Sequence, residues 1–231
     1  MRTVLCVLTR NERECLEMVF DRIPKAGPNA GYDEVVVIDG GSTDGTVEFL
    51  ESRGASVIAQ TKMGRGQAFL QAFDEVDAGA YIFFSSDGQD SIADLRRFRP
   101  LLEQGSDLVI ASRMMEGGIN EEDDQLFKFR KWANNAFNLL ANLLFRKGGP
   151  YITDSISGMR GITKEAANRL QLTAQDYTIE YQMTIRALKY GLRITEFPTI
   201  EGRRVAGETG APAVNTGLRF IERLFTELLQ R

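Results

Sequence analysis

The sequence predicts an α/β fold, with a mostly parallel sheet flanked by helices and a helical C-terminal part. Three observations carry this expectation. Short runs rich in β-branched and aromatic residues alternate with helix-patterned segments through the first half, the mark of βαβ units. The strand runs are almost continuously apolar, as strands covered on both faces are. Polar or glycine-rich segments follow four of them, at 9–12, 39–45, 85–90 and 112–118. Ligands of open α/β sheets bind beyond the carboxyl ends of the strands, so these segments predict a polar cleft.

Taken in order, residues 3–8, 34–38, 56–59, 80–84 and 107–111 read as strands, and 12–20, 46–52, 67–77 and 92–102 as the helices between them. A long helical stretch follows over 124–147, with apolar Leu126, Phe127, Phe129, Trp132, Phe137, Leu140, Leu144 and Phe145, and Gly148-Gly149-Pro150 ends it. Helices are expected again at 164–170 and 179–190, a strand near 193–197, a Gly/Ala/Pro loop over 206–213 and an amphipathic helix over 216–230. No internal repeat or low-complexity linker divides the chain, so a single domain over residues 1–231 is expected.

Composition narrows the chemistry. The 231 residues are 43% hydrophobic and 26% charged, enough for a core without staples. The net charge of −4 argues against non-specific nucleic-acid binding. There is no histidine. That removes Ser-His and Cys-His nucleophile pairs, histidine bases and the common zinc sites. Cys6 and Cys15 read as buried small hydrophobes in a reducing compartment. With no signal peptide visible and apolar runs far short of the ~20 residues of a spanning helix, the expectation is a cytoplasmic protein, at most peripheral on the membrane.

Three loops carry candidate chemistry. Asp39-Gly40-Gly41-Ser42-Thr43-Asp44-Gly45-Thr46 follows a strand and opens a helix. As a turn it is a set of capping residues; as a site, Asp39 meets a base or ribose while the glycines admit the ligand. Ser85-Ser86-Asp87-Gly88-Gln89 also ends a buried strand. Read as a site, Asp87 and Gln89 aim two oxygens at one hard cation, Mg²⁺ or Mn²⁺; read blandly, it is a solvated turn. Lys62-Met63-Gly64-Arg65-Gly66 precedes a helix, where glycine and positive charge suit an anion. The residues alone leave each pair of readings open.

As an ordered set, these loops resemble glycosyltransferase family 2. The matching pieces are Thr9-Arg10-Asn11-Glu12, Val37 through Thr46, Gly64 through Ala68 and Phe84 through Gln89, then Ala111-Ser112-Arg113, Gly117-Gly118, Asp154 through Arg160 and Glu180 through Ala187. The resemblance spans roughly residues 3–210 and implies the Rossmann-like GT-A fold, with 1–118 as nucleotide-sugar-binding half and 119–231 as acceptor side. The second half is most similar to the dolichol-phosphate mannose synthase group of that family. The resemblance implies an inverting transfer from a GDP- or UDP-sugar to a polyprenyl phosphate.

On this reading Thr9, Asn11, Glu12, Asp39, Gly41, Lys62, Gly64, Ser86 and Asp87 bind the donor, and Asp87 with Gln89 holds Mg²⁺ or Mn²⁺. Arg113, Arg130, Asn134, Arg203 and Arg204 surround the acceptor. Asp154 or Glu180 would serve as base for a hydroxyl acceptor, whereas a lipid phosphate, with a second pKa of about 6, needs none. There are two departures: Ser85 stands where the family usually has aspartate, and Asn134 where the group often has serine. Three alternatives remain: transfer to a small soluble acceptor such as a phosphoglycerate or sugar, a nucleotidyltransferase, and a non-catalytic nucleotide-sugar-binding subunit. The 124–147 helix, flanked by Lys128, Arg130, Lys131, Arg146 and Lys147, reads either as a core helix or as an interfacial one joined by Phe225, Leu228 and Leu229. The interfacial reading would give peripheral membrane contact or a membrane subunit as partner.

Overall fold

The computed structural model describes residues 1–123, 128–204, 206 and 213–230. The predicted start of the long helix at 124–127, with Leu126 and Phe127, lies outside the described residues, as does the 207–212 part of the Gly/Ala/Pro loop. Seven strands form one sheet: β1 (Thr3–Thr9), β2 (Glu34–Asp39), β3 (Ser56–Ala59), β4 (Ala80–Ser85), β5 (Leu108–Ser112), β6 (Arg160–Thr163) and β7 (Ile194–Pro198). Their order is β3-β2-β1-β4-β6-β5-β7, parallel throughout except for β6, which runs antiparallel to both neighbours.

Among the described residues eight α-helices accompany the sheet: α1 (Arg13–Val19), α2 (Thr46–Ser52), α3 (Arg65–Glu75), α4 (Phe98–Glu103), α5 (Phe129–Phe145), α6 (Lys164–Leu170), α7 (Ile179–Tyr190) and α8 (Ala213–Leu229). The helix predicted over 92–102 is broken into a 3₁₀ segment at Ile92–Arg97 and then α4. Pro100 has no N–H to offer the carbonyl four residues back, so one α-helix cannot run through the junction.

Alternation along each strand divides the core. Val4, Cys6 and Leu8 of β1, with Tyr81 and Phe83 of β4, face α3, α5, α7 and α8. Leu5 and Val7, with Ile82 and Phe84, face α1 and α4. Covering both faces explains why the strands read as unbroken apolar runs.

β6 is the one strand absent from the sequence-based expectation. It begins with Arg160, a charged residue with no exposed surface, and continues with Gly161. A Cβ at Gly161 would come within 2.9 Å of Phe98 Cδ1, so glycine lets α4 lie against the sheet. In register, Thr9 pairs with Asp39 and Leu8 with Ser85. The carboxyl ends of β1, β2 and β4 therefore share one edge.

Candidate active site

The loops after β1 and β2 are laced together. Asp39 is buried and turned on its own loop: Oδ2 accepts from the N–H groups of Gly41 and Ser42, each at 2.9 Å, and Oδ1 from Ser42 Oγ at 2.5 Å. A carboxylate has about four lone-pair sites, so one direction remains for a ligand donor. Asn11 adopts a left-handed φ of 52°, which lets its Oδ1 accept from Thr43 N–H while its own N–H donates to Ser42 Oγ. Thr9 Oγ1, at the end of β1, is the one buried side-chain polar atom among the described residues with no hydrogen-bond partner.

The Gly64-Arg65-Gly66 segment serves close packing. A Cβ on Gly64 would stand 2.2 Å from the Gln175 carbonyl and one on Gly66 2.2 Å from that of Ala174. Gln67 N–H, in the first turn of α3, donates to Gln175 O at 3.3 Å. A protein carbonyl thus takes a helix-start donor expected to meet an anion, and Lys62 is exposed to one side.

Beyond β4, Asp87 Oδ1 accepts from Gln89 N–H at 3.1 Å and Oδ2 lies 3.5 Å from Arg204. Arg204 also pairs with Glu12, so this arginine bridges the β1 and β4 loops. Gln89 Nε2 donates to Glu121 at 2.7 Å and to the Gly202 carbonyl at 3.3 Å, which leaves Oε1 as the amide's acceptor. Asp90 folds back so that Oδ2 accepts from Ser85 N–H at 3.1 Å. Burial and the neighbouring Asp87 push its carboxyl up to about 7. Two carboxylates and an amide oxygen are a hard-ligand set suited to Mg²⁺ or Mn²⁺. Among the described residues no three acidic or thiol groups converge to hold a metal unaided. A cation here would complete its shell from a donor diphosphate and water.

Asp87, Gln89 and Asp90 open onto a cavity of about 490 Å³. It is lined by Asp87, Gln89, Arg113, Arg130, Asn134 and Glu180 of the predicted set, together with Arg65, Asp90, Glu121, Tyr177 and Glu201, which sequence reasoning did not single out as site residues. Its far wall is apolar, with Phe129, Phe137, Ile156 and Phe220. Asp154 stands behind the wall with no exposed surface. It is gripped by Arg113 through Nε at 2.7 Å and Nη2 at 3.0 Å, while Arg113 Nη1 reaches Glu201 at 2.7 Å. Burial alone would lower the Arg113 pKa; Asp154 and Glu201 outweigh it and hold it well above the usual value. Arg113, expected to grip an acceptor, has most of its fork committed within the protein.

Glu180 Oε1 accepts from Arg65 Nε at 2.5 Å. Arg160 is sunk beneath this pair. It donates to the carbonyls of Ser157 (2.8 Å) and Glu180 (2.8 Å) and so ties the 155–158 loop to the start of α7. Arg130 is half exposed and lies 3.4 Å from Glu121. Arg203 is exposed and, with Arg204, sits outside the cavity lining. Of the residues expected to bind the donor, Thr9 and Asp39 end β1 and β2, and Asn11, Glu12, Gly41, Lys62, Gly64 and Ser86 lie in the loops after β1, β2, β3 and β4; none of these is in the cavity lining. Arg65 was read only as part of a positive segment suited to an anion, and Glu201 was not read at all, because their partners are 115 and 88 residues away.

The model of the family "Glycosyl transferase family 2" matches residues 4–170. The chain belongs to glycosyltransferase family 2. It is 30% identical to glycosyltransferase AglJ of Haloferax volcanii over 94% of this chain and 70% of that protein. It is 28% identical to the polyprenol monophosphomannose synthase of Mycolicibacterium smegmatis, over 89% of this chain and 79% of the relative. Among solved structures, glucosyl-3-phosphoglycerate synthase from Mycobacterium tuberculosis, in complex with Mn²⁺, UDP-glucose and phosphoglyceric acid, superposes with a TM-score of 0.75. That likeness covers 98% of this chain and 79% of the other at 20% identity, and shows a shared GT-A fold. As a family 2 member the protein is a glycosyltransferase.

Proposed function

We propose that this glycosyltransferase moves a sugar from a nucleoside diphosphate donor to a polyprenyl phosphate. The observation that carries the acceptor class is the state of the two candidate bases. Asp154 is held bidentately by Arg113, and Glu180 accepts from Arg65 through Oε1 alone. Asp154 also has no exposed surface and lies outside the cavity lining, and the Glu180 oxygen that meets Arg65 is turned to a protein donor, so neither is well placed to take a proton from an acceptor hydroxyl. An acceptor phosphate is already ionised near neutral pH and needs no base. The names of the relatives point the same way.

On the donor side, the unpartnered Thr9 hydroxyl and the spare acceptor direction of Asp39 suit ribose or base groups. Asp87 and Gln89 would hold Mg²⁺ or Mn²⁺, which when bound supplies charge neutralisation to the departing diphosphate. Arg204, already on Asp87, is placed to follow that charge, and Arg130 with Asn134 faces an incoming phosphate from α5. The apolar wall beyond them suits the first isoprene units of a lipid.

The same site supports a second reading, transfer to a small phosphorylated acceptor. It is favoured by the fold neighbour, whose structure includes phosphoglyceric acid. The deciding experiment offers Mn²⁺ and a panel of GDP- and UDP-sugars with either a short polyprenyl phosphate or 3-phosphoglycerate. Arg130→Ala should weaken the lipid acceptor at least tenfold and leave donor binding unchanged, with Arg130→Lys recovering only part, since lysine lacks the planar fork. Transfer to phosphoglycerate alone would replace the lipid reading.

A further inference from the structure

Gln89 brings a neutral amide and Asp87 a single negative charge to the loop after β4. The loop carries a second acid in Asp90, whose placement is unusual for a turn residue. Its carboxylate is folded back to the strand end, where Oδ2 meets Ser85 N–H at 3.1 Å, and it lines the same cavity as Asp87 and Gln89. That backbone contact is its one hydrogen bond among the described residues. Asp87 and Glu201 both press on it with like charge, and Arg65 is the cation in its field. Asp90 keeps part of its surface open to the cavity, and its Oδ1 makes no hydrogen bond among the described residues, so the carboxylate has an oxygen to offer a cation held beside Asp87 and Gln89. A backbone cap alone would not call for this charge, because a neutral amide accepts from Ser85 N–H equally well.

We infer that Asp90 is the second carboxylate ligand of the divalent cation, and that its return to Ser85 places a charge where the strand end itself offers only a serine. Asp87, Asp90 and the Gln89 amide then present three oxygens from one six-residue turn, leaving the remaining positions to diphosphate and water. This rests on the metal-dependent donor reading above and adds to it the residue that makes the site dianionic.

The test is Mn²⁺ binding, read from the loss of the free-ion paramagnetic resonance signal in the presence of UDP and, separately, GDP. Asp90→Asn keeps the acceptor for Ser85 N–H and removes only the charge. It should weaken Mn²⁺ binding at least tenfold, with a melting temperature equal to or above that of the wild type. Adding Ser85→Asp to that variant should recover most of the affinity. Wild-type Mn²⁺ affinity in Asp90→Asn would overturn the inference while leaving the metal reading intact. No recovery from Ser85→Asp would overturn it too, because loop charge would not be the cause. A wild-type protein that binds no Mn²⁺ with either nucleotide would remove the metal reading and this inference together.

Discussion

Asp87 is held by a backbone N–H from Gln89 and an ion pair to Arg204, and neither contact belongs to the core. Replacing it with asparagine keeps an acceptor for the Gln89 N–H and gives up only the 3.5 Å ion pair, so little structural cost is expected. Asp87→Asn is therefore expected to fold as the wild type does yet to lose transfer by at least about a hundredfold, the scale of removing one preorganised electrostatic group. EDTA should silence the wild type to a similar degree. Initial rates with and without Mn²⁺, beside thermal melts, check both halves; a near-wild-type rate for Asp87→Asn would remove it from the metal site. Asp87 was legible in the sequence because a buried strand ending in a polar turn is a local pattern. Asp90 was not, since its significance lies in the direction its side chain folds. The ion pairs of Arg65 and Glu201 were hidden for a different reason: each joins a residue on a remote element, so Arg65 was read only as a positive charge beside glycines.

At the scale of elements, legibility follows local stop signals. α6 is found where expected because Thr163 Oγ1 accepts from Ala166 N–H at 3.2 Å, and α7 ends at Gly191, which takes a left-handed φ of 65°. β6 has no such marks, and its arginine belongs to a buried carbonyl cage that no periodicity announces. α8 was expected over 216–230 and is found at Ala213–Leu229; what no pattern announced is Glu227, fully buried and bonded by Arg186 (3.0 Å), Gln182 (2.8 Å) and Lys189 (3.3 Å) of α7. Burial pushes Glu227 up, but Arg186 and its fellow donors outweigh that and hold it below its ordinary value. A carboxylate depressed in the folded state contributes stability that is fully present above its unfolded pKa of about 4.3 and is lost as pH falls through the folded value. Acid below about pH 4.3 should therefore loosen α8. Glu227→Ala should cost about 3 kcal/mol at neutral pH, the usual result of leaving a buried pair half broken, and flatten the acid slope. Thermal melts of both proteins from neutral pH into acid check this, and parallel pH profiles would show that Glu227 does not carry the effect.

Across the whole molecule, the cavity joins two kinds of surface. Its polar end meets the strand-end loops, and its apolar end is walled by α5 and α8, whose Phe137 and Phe220 rings stand 5.2 Å apart. On the outside of the same helices, apolar residues remain exposed at helical spacing: Trp132, Leu139 and Leu143 on α5, and Leu218, Ile221, Phe225 and Leu229 on α8; Phe129, also exposed, stands at the cavity. The stripe read in the sequence as either core or interfacial is thus divided, with Phe137, Leu140, Leu144 and Phe145 packed inward, Trp132 turned out and Phe129 exposed at the cavity. No helix among the described residues is long and apolar enough to cross a membrane. Exposed apolar stripes flanked by Lys128, Arg130, Lys131, Arg146 and Lys147, with no acidic residue inside α5, fit a helix pair resting on an anionic bilayer. Seated that way, the apolar end of the cavity would receive a prenyl chain directly from the lipid. The expectation is that Leu143→Glu with Phe225→Glu abolishes flotation with anionic vesicles, because two charges are placed in the contact face without touching the cavity lining. Transfer to a long polyprenyl phosphate in vesicles should fall at least tenfold, while transfer to a short, water-dispersed analogue should stay near the wild-type rate. Equal losses on both acceptors would mean the substitutions damage the site itself, and unchanged flotation would show that this face does not meet the membrane.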